Sequence, residues 1–264
     1  MDIKSRLLSV AVEAARSAGN IISKGLNKRK FVKFKGRIDP VTHIDTKCEG
    51  TIVKIIKGNF PDHTIISEEI GIIKKKSDYS WFIDPLDGTV NYSHGFPSFC
   101  VCIGVVFKGR VVVGVIYDPN KNELFTAVEG RGAYINGRRM MVSKISDLEK
   151  ALVATGFAYN IKEARNKNFR SFSRAALHCQ GVRRAGSAGL DLAYVACGRL
   201  DGFWEYNLQS WDVAAGSLMV TEAGGCVSNI KDKKLDLFSK QIIATNKHIY
   251  KDFISILAGS NHNS

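Results

Sequence analysis

Apolar residues recur at helical spacing along residues 2–26, where Leu7, Leu8, Val10, Ala11, Ala14, Ala15, Ala18, Ile21 and Ile22 share one stripe. A second helix is predicted over residues 45–58, closing at Gly58. His63 to Ser67 reads as a strand that runs into Glu68-Glu69, and Trp81-Phe82-Ile83 reads as a buried strand. Residues 98–142 predict a β-meander. Ser98 to Phe107 turns at Lys108-Gly109, Arg110 to Tyr117 turns at Asp118-Pro119-Asn120, Glu123 to Val128 follows, and Asn136-Gly137 marks a hairpin. Next come a strand at 151–155, a helix near 163–179, a strand at 182–185, a helix at 188–198 and a strand at 202–206. A helix opens at Asp212, which stands where an N-cap belongs, and stops at Gly224-Gly225. A strand at 241–245 and a helix near 247–257 complete the pattern. Strands and helices alternate around one long meander, which predicts a mixed α/β (α+β) layered sandwich.

Composition narrows the class. A chain of 264 residues at 45% hydrophobic can bury a large core, as one big domain or two close lobes. No apolar run approaches the ~18–20 residues of a membrane span. The start, MDIKSRLL, lacks the apolar stretch of a signal peptide. A soluble, cytoplasmic protein without a membrane role is expected. The six cysteines form no C-x-x-C pair, and Cys100 and Cys102, two apart in a strand, point to one face. They are expected to be small core residues rather than a disulfide or a zinc set. The net charge of +13 favours anionic partners, and much of the excess lies in Lys28–Arg37 and Lys74-Lys75-Lys76. Such runs are usually solvated surface.

The candidate chemistry is concentrated in WFIDPLDGT, residues 81–89. A buried strand delivers Asp84 and Asp87, with Pro85 stiffening the turn between them. Gly88-Thr89 opens a helix whose backbone N–H groups can hold an oxyanion, and paired carboxylates bind hard cations such as Mg²⁺. Metal beside anion points to phosphate chemistry. An acidic turn at the end of a strand is the plainer reading of any one of these acids. Further acids in similar settings weaken it: Glu68 and Glu69 after a strand, Asp212 in WDVAAG, and Asp45 in VTHID.

These segments together resemble the inositol monophosphatase family of Mg²⁺-dependent phosphatases, whose pattern is E-E, then W-x-I-D-P-[IL]-D-G-T-x-N, then W-D-x-A-A-G. Here it reads SEE at 67–69, WFIDPLDGTVN at 81–91 and WDVAAG at 211–216. The resemblance implies the sugar-phosphatase fold over residues 1–264, as one domain with two lobes. The half at roughly 1–145 would bind metal and phosphate, and the half at 146–264 would bind substrate. It also implies a homodimer, lithium sensitivity and two or three Mg²⁺ ions per site. Glu68, Asp84 and the Leu86 carbonyl would hold the first ion, and Asp84, Asp87 and Asp212 the second. Glu68 would help place a weaker third. Thr89 would orient the attacking water and Asp45 would hydrogen-bond Thr89, though Thr89 could also cap its helix. Gly88 and Thr89 would hold the phosphate. Gly186, Ser187 and Ala188 match a loop that contacts the substrate ring, and Glu205 matches a hydroxyl-binding glutamate. Arg183 could face the substrate or the dimer interface, and is otherwise a surface arginine. One departure is the loop KFKGRIDPVTHID, which is unusually basic and has Asp39-Pro40 where many relatives carry an apolar residue after the aspartate.

No Ser/His/Asp or Cys/His set competes in the sequence; His43, His63, His94 and His178 are scattered. The resulting expectation is hydrolysis of a small polyol or sugar phosphate, foremost myo-inositol 1-phosphate. The alternatives are fructose 1,6-bisphosphate or nucleotide 3′-phosphate hydrolysis. A different class of role is that of an RNA or transcription-complex partner, which some bacterial relatives fill. Nucleic-acid binding is not expected, because no aromatic-rich RNA motif accompanies the basic runs.

Overall fold

The computed structural model describes residues 2–26, 32–34, 40–157 and 167–259. Its helices are α1 (Ile3–Gly25), α2 (His43–Asn59), α3 (Thr89–His94), α4 (Lys167–His178), α5 (Ala188–Ala196), α6 (Ser210–Glu222) and α7 (Tyr250–Ala258). The strands are β1 (Val32–Phe34), β2 (Pro40–Thr42), β3 (Thr64–Ser67), β4 (Gly71–Ile73), β5 (Tyr79–Asp87), β6 (Cys100–Phe107), β7 (Arg110–Asp118), β8 (Glu123–Val128), β9 (Gly132–Ile135), β10 (Arg138–Arg139), β11 (Leu152–Thr155), β12 (Gly181–Arg183), β13 (Gly202–Tyr206), β14 (Cys226–Ser228) and β15 (Gln241–Thr245).

Five layers alternate, as the order of elements predicted. The stripe of α1 and the buried face of α2 pack with Trp81, Ile83, Val101, Ile103, Val105, Val113 and Val115. Those strand residues belong to an eight-stranded sheet ordered β10-β9-β8-β7-β6-β5-β3-β4. Its other face, with Cys100, Cys102, Ile116 and Phe125, meets Leu190 and Leu192 of α5 and Val213, Leu218 and Met219 of α6. The same helices cover Phe203, Ile242 and Ala244 of a five-stranded sheet ordered β12-β11-β13-β15-β14. Behind that sheet, Val153, Trp204 and Ile243 pack with Ala175 of α4 and Phe253 and Leu257 of α7. Each strand thus sends alternate residues to opposite layers, as a pleat requires.

Glycine lets α6 lie on the first sheet. A Cβ at Gly104 would stand 2.6 Å from the Ala214 Cβ, and one at Gly114 would stand 2.6 Å from the Ala215 carbonyl oxygen. Helix and strand backbones therefore approach more closely there than any side chain would allow.

Several predicted elements differ in extent. α2 starts at His43, so Asp45 lies inside its first turn. The strand predicted at 182–185 is β12 at Gly181–Arg183, and the helix predicted at 188–198 ends at Ala196. Asp212 is not the N-cap of α6: Gln209 is, and Asp212 occupies the third helical position. The short strands β4 and β14 carry no strong alternation and went unread. Residues 163–166 of the predicted fourth helix lie outside the described residues. So do Lys28–Arg37 and Asp39, apart from the backbone of 32–34. Among the described residues, no helix is long and apolar enough to cross a membrane.

Candidate active site

In an unbroken strand, residues 84 and 87 would point to opposite faces, because their spacing is odd. β5 avoids this with an irregularity at Pro85-Leu86. Asp84 pairs with Cys102 and Asp87 pairs with Cys100, so three steps on β5 match two on β6. One extra residue is accommodated as a bulge. Residues directly opposite in an antiparallel pair share a face. Asp84, Asp87, Cys100 and Cys102 therefore all face the layer of α5 and α6. The D-P-L-D spacing is a device for bringing two carboxylates to one side.

Each acid is then held. The Asp84 carboxylate accepts the Leu86 N–H at 3.0 Å, closing the turn over the bulge. Asp87 Oδ2 accepts from the Ser187 hydroxyl at 2.6 Å and from the Gly189 N–H at 2.7 Å. The Cys100 thiol approaches the same oxygen at 3.6 Å. Asp212 Oδ2 accepts the Gln209 N–H at 2.7 Å, the reciprocal half of a capping arrangement. Glu68 follows β3 directly, and its N–H donates to the Ile83 carbonyl at 3.3 Å, which fixes it beside β5.

The electrostatics show what these acids lack. Burial, then the charges of Glu68, Asp87 and Asp212, hold the Asp84 carboxyl well above its usual range. Burial likewise raises Asp87, against the hydrogen bonds from Ser187, Gly189 and Cys100. Burial and the charge of Asp87 raise Asp212 well above its ordinary value. The charges acting most strongly on Asp84 are all negative. Three buried carboxyls with suppressed ionisation, Asp84, Asp87 and Asp212, with Glu68 beside them, suit a hard divalent cation, which would restore the charged form. The thiols are a separate matter. Asp87, Cys100 and Cys102 place ligand atoms within 4.8 Å of one another. A Cβ on Gly189, however, would stand 2.3 Å from Cys102 Sγ and 3.0 Å from Cys100 Sγ, so the two thiols pack closely against α5 in the room that glycine leaves. Burial raises the Cys100 thiol to about 11, and the pair serves as packing behind Asp87.

Thr89 begins α3 and its Oγ1 lies 3.0 Å from Asp45 Oδ1 and 3.0 Å from the Leu86 carbonyl. It does not cap its helix. Gly88 does, with φ +90, and a Cβ there would meet the Ser98 carbonyl at 2.7 Å. Only glycine fits both the left-handed backbone and that approach. Asn91 ties α3 to the second half of the chain, donating to the Ala185 carbonyl at 2.7 Å and the Gly186 carbonyl at 3.2 Å.

Glu205 reaches the same layer from β13. Burial, then the charges of Asp191, Asp212 and Asp87, raise its carboxyl well above the usual range, while Arg184 opposes them. A Cβ on Gly156 would lie 2.1 Å from Glu205 Oε2, so Gly156 provides the room this carboxylate occupies. Arg183 is placed differently. It is exposed, and its guanidinium donates to the Val182 carbonyl at 3.4 Å. The arginine whose charge reaches Glu205 is its neighbour Arg184. Gly186, Ser187 and Ala188 stand at the start of α5 beside Asp87. Ser187 caps that helix as well as binding Asp87.

Two acids escaped the sequence reading. Asp191 is buried on α5, and its carboxyl is raised well above its normal range by burial and by Asp87. Glu49 is buried on α2. Both had a legible signal: a carboxylate on the apolar face of an amphipathic helix, Asp191 between Leu190 and Leu192, and Glu49 beside Cys48 and one turn before Ile52-Val53.

Residues 3–262 match the model of the inositol monophosphatase family. The chain is 44% identical over 252 residues to a Nus factor SuhB of Pasteurella multocida, covering 94% of each chain. It is 43% identical over 255 residues to an inositol-1-monophosphatase of Synechocystis, covering 96% of this chain and 89% of that one. The solved inositol monophosphatase of Anabaena superposes with a TM-score of 0.89 at 42% identity, covering 97% of this chain and 96% of that one. With matches running almost from end to end, the chain belongs to the inositol monophosphatase family.

Proposed function

We propose that the protein is a Mg²⁺-dependent phosphatase that hydrolyses phosphate monoesters of small polyols or sugars, foremost myo-inositol 1-phosphate, to the free polyol and phosphate. The observation that carries this reading is the bulge in β5, which turns Asp84 and Asp87 toward Asp212 and Glu68, next to the Thr89–Asp45 pair.

Glu68, Asp84, the Leu86 carbonyl, Asp87 and Asp212 would hold the ions. When bound, Mg²⁺ supplies positive charge that neutralises the phosphate and activates water. The protein's own groups do the rest. The Thr89 hydroxyl donates to Asp45 and keeps a lone pair with which to orient the attacking water. A proton leaving that water passes toward the Asp45 carboxylate by the same hydrogen bond. Gly88 and Thr89 would cradle the phosphate. Glu205 offers a carboxylate to ring hydroxyls, and the segment Gly186–Ala188 flanks the ring. Residues 1–145 thus supply most of the metal and phosphate site, with Asp212 and Glu205 reaching in from 146–264. A homodimer and lithium inhibition follow from the family likeness.

The test is phosphate release by the purified protein across a panel of inositol phosphates, fructose 1,6-bisphosphate and adenosine 3′,5′-bisphosphate, with Mg²⁺ or with EDTA. The reading expects Mg²⁺-dependent release, highest with myo-inositol 1-phosphate. Full turnover in EDTA, or no turnover of any substrate, rejects it.

A second role is favoured by one observation: a relative at 44% identity is named a Nus factor. With a net charge of +13 and an exposed Lys74-Lys75-Lys76 run, a nucleic-acid or transcription-complex partner fits this chain as well. Such a role would survive Asp87→Asn, which removes metal chemistry.

A further inference from the structure

Glu49 is fully buried in α2, outside the set of groups the proposed reaction uses. Its Oε1 accepts from the Ser67 hydroxyl, from the Glu69 N–H at 3.0 Å and from the Ile70 N–H at 3.0 Å. These three donors bracket Glu68. The Glu68 N–H is itself bound to the Ile83 carbonyl at 3.3 Å. The turn that carries Glu68 is therefore clamped between β5 on one side and a helical carboxylate on the other.

The second oxygen of the same carboxylate, Oε2, is buried and has no hydrogen-bond partner among the described residues. A buried acceptor left unpaired is unfavourable for folding, and an ionised one more so. An apolar residue would fill this face of α2 without that penalty, as Cys48, Ile52 and Ile56 do. A carboxylate kept at such a position points to a role in the site rather than in stability. Its place on the helix supports this. Glu49 lies one turn after Asp45, on the same face. One face of α2 then holds both parts of the site: Asp45 binds Thr89, and Glu49 binds the turn of Glu68.

We propose that Glu49 is the positioning residue that aims Glu68 at the cation, and so sets the affinity of the site for divalent metal. It acts through the Ser67–Ile70 turn and touches neither substrate nor metal. The proposal rests on the metal-dependent phosphatase reading above. Groups that orient a metal ligand typically contribute about 10–100-fold in metal affinity. The relevant feature is the acceptor geometry of Oε1. Glu49→Gln retains that acceptor, Glu49→Ala removes it, and Glu49→Asp withdraws it by one methylene.

The experiment uses the whole protein and two readouts: calorimetric binding of Mg²⁺ alone, and the Mg²⁺ dependence of phosphate release from myo-inositol 1-phosphate. Wild type and Glu49→Gln should bind Mg²⁺ within a few-fold of one another. Glu49→Ala should need about tenfold more Mg²⁺ or beyond in both readouts. Its kcat should recover toward wild type once Mg²⁺ saturates. If Glu49→Ala does not fold, Glu49→Asp should show the same shift. An unchanged Mg²⁺ constant in Glu49→Ala or Glu49→Asp, or a lower kcat that saturating Mg²⁺ does not restore, overturns the proposal alone. A wild type that neither binds nor responds to Mg²⁺ removes the phosphatase reading and this proposal together.

Discussion

Thr89 Oγ1 stands 3.0 Å from Asp45 Oδ1 and equally 3.0 Å from the Leu86 carbonyl oxygen. A hydroxyl has one proton, so it can donate to only one of them at a time. Thr89→Ala should lower kcat by ~10²–10⁴-fold with little change in KM, because the hydroxyl acts on the attacking water. Thr89→Ser, which keeps the hydroxyl, should restore most of the rate. Steady-state kinetics with myo-inositol 1-phosphate decide this, and an effect confined to KM would assign Thr89 to phosphate binding instead.

The carboxylate cluster sets a pH dependence for the metal-free protein. The folded values of Asp84, Asp87, Asp212 and Glu205 lie above their unfolded values. Above about pH 4 the folded state therefore holds more protons than the unfolded one, and stability falls as pH rises through the raised values. His63, lowered by burial, works the other way just below its ordinary value, but it is a single half-buried group. The urea midpoint in EDTA should rise from pH 8 toward pH 6. Mg²⁺ should bind with release of protons, seen as a buffer-dependent calorimetric enthalpy at pH 7. A buffer-independent enthalpy would contradict the suppressed ionisation.

Gly104→Ala should destabilise the protein by about 1–3 kcal/mol through overpacking. Its new Cβ would fall 2.6 Å from the Ala214 Cβ and 3.1 Å from the Ala215 nitrogen. Because α6 also carries Asp212, Mg²⁺ affinity should fall in parallel. Denaturation midpoints and Mg²⁺ titrations of the variant measure the two effects, and loss of neither would mean that α6 has room to shift.

Glu205→Gln should weaken turnover of myo-inositol 1-phosphate more than that of fructose 1,6-bisphosphate. The carboxylate accepts hydrogen bonds from hydroxyls but repels a second phosphate, and a buried charge beside the wrong partner costs several kcal/mol as an order of magnitude. The ratio of kcat/KM for the two substrates is the readout. Equal losses would make Glu205 structural.

Neutralising the exposed Lys74, Lys75 and Lys76 together should leave kcat/KM nearly unchanged, since surface charges beyond about 8–10 Å are screened at physiological salt. If the wild type shifts labelled RNA in a salt-sensitive way and the triple Lys→Ala variant does not, the lysine run serves nucleic acid.

The sequence by itself determined the layered α/β class, the meander, the helix of residues 3–25 and the acids Glu68, Asp84, Asp87 and Asp212. Hydrophobic period and the setting of each acid are local properties, so they survive in a linear reading. Tertiary structure alone decided how those acids meet. The odd spacing of Asp84 and Asp87 would separate them on an ideal strand, and the bulge that reunites them is visible only through pairing with Cys100 and Cys102. Likewise, Ser187 matched a substrate loop in sequence, yet its hydroxyl binds Asp87 100 positions away. Arg183 ends β12 as an exposed residue, and it is the charge of the next residue, Arg184, that reaches Glu205. The settings of Glu49 and Asp191 were not legible for the same reason: a charge on an apolar helix face shows only that its surroundings must be special, and it takes the packing of α2 to show that the Ser67–Ile70 turn donates to Glu49, and that of α5 to show that burial and the like charge of Asp87 keep the Asp191 carboxyl raised.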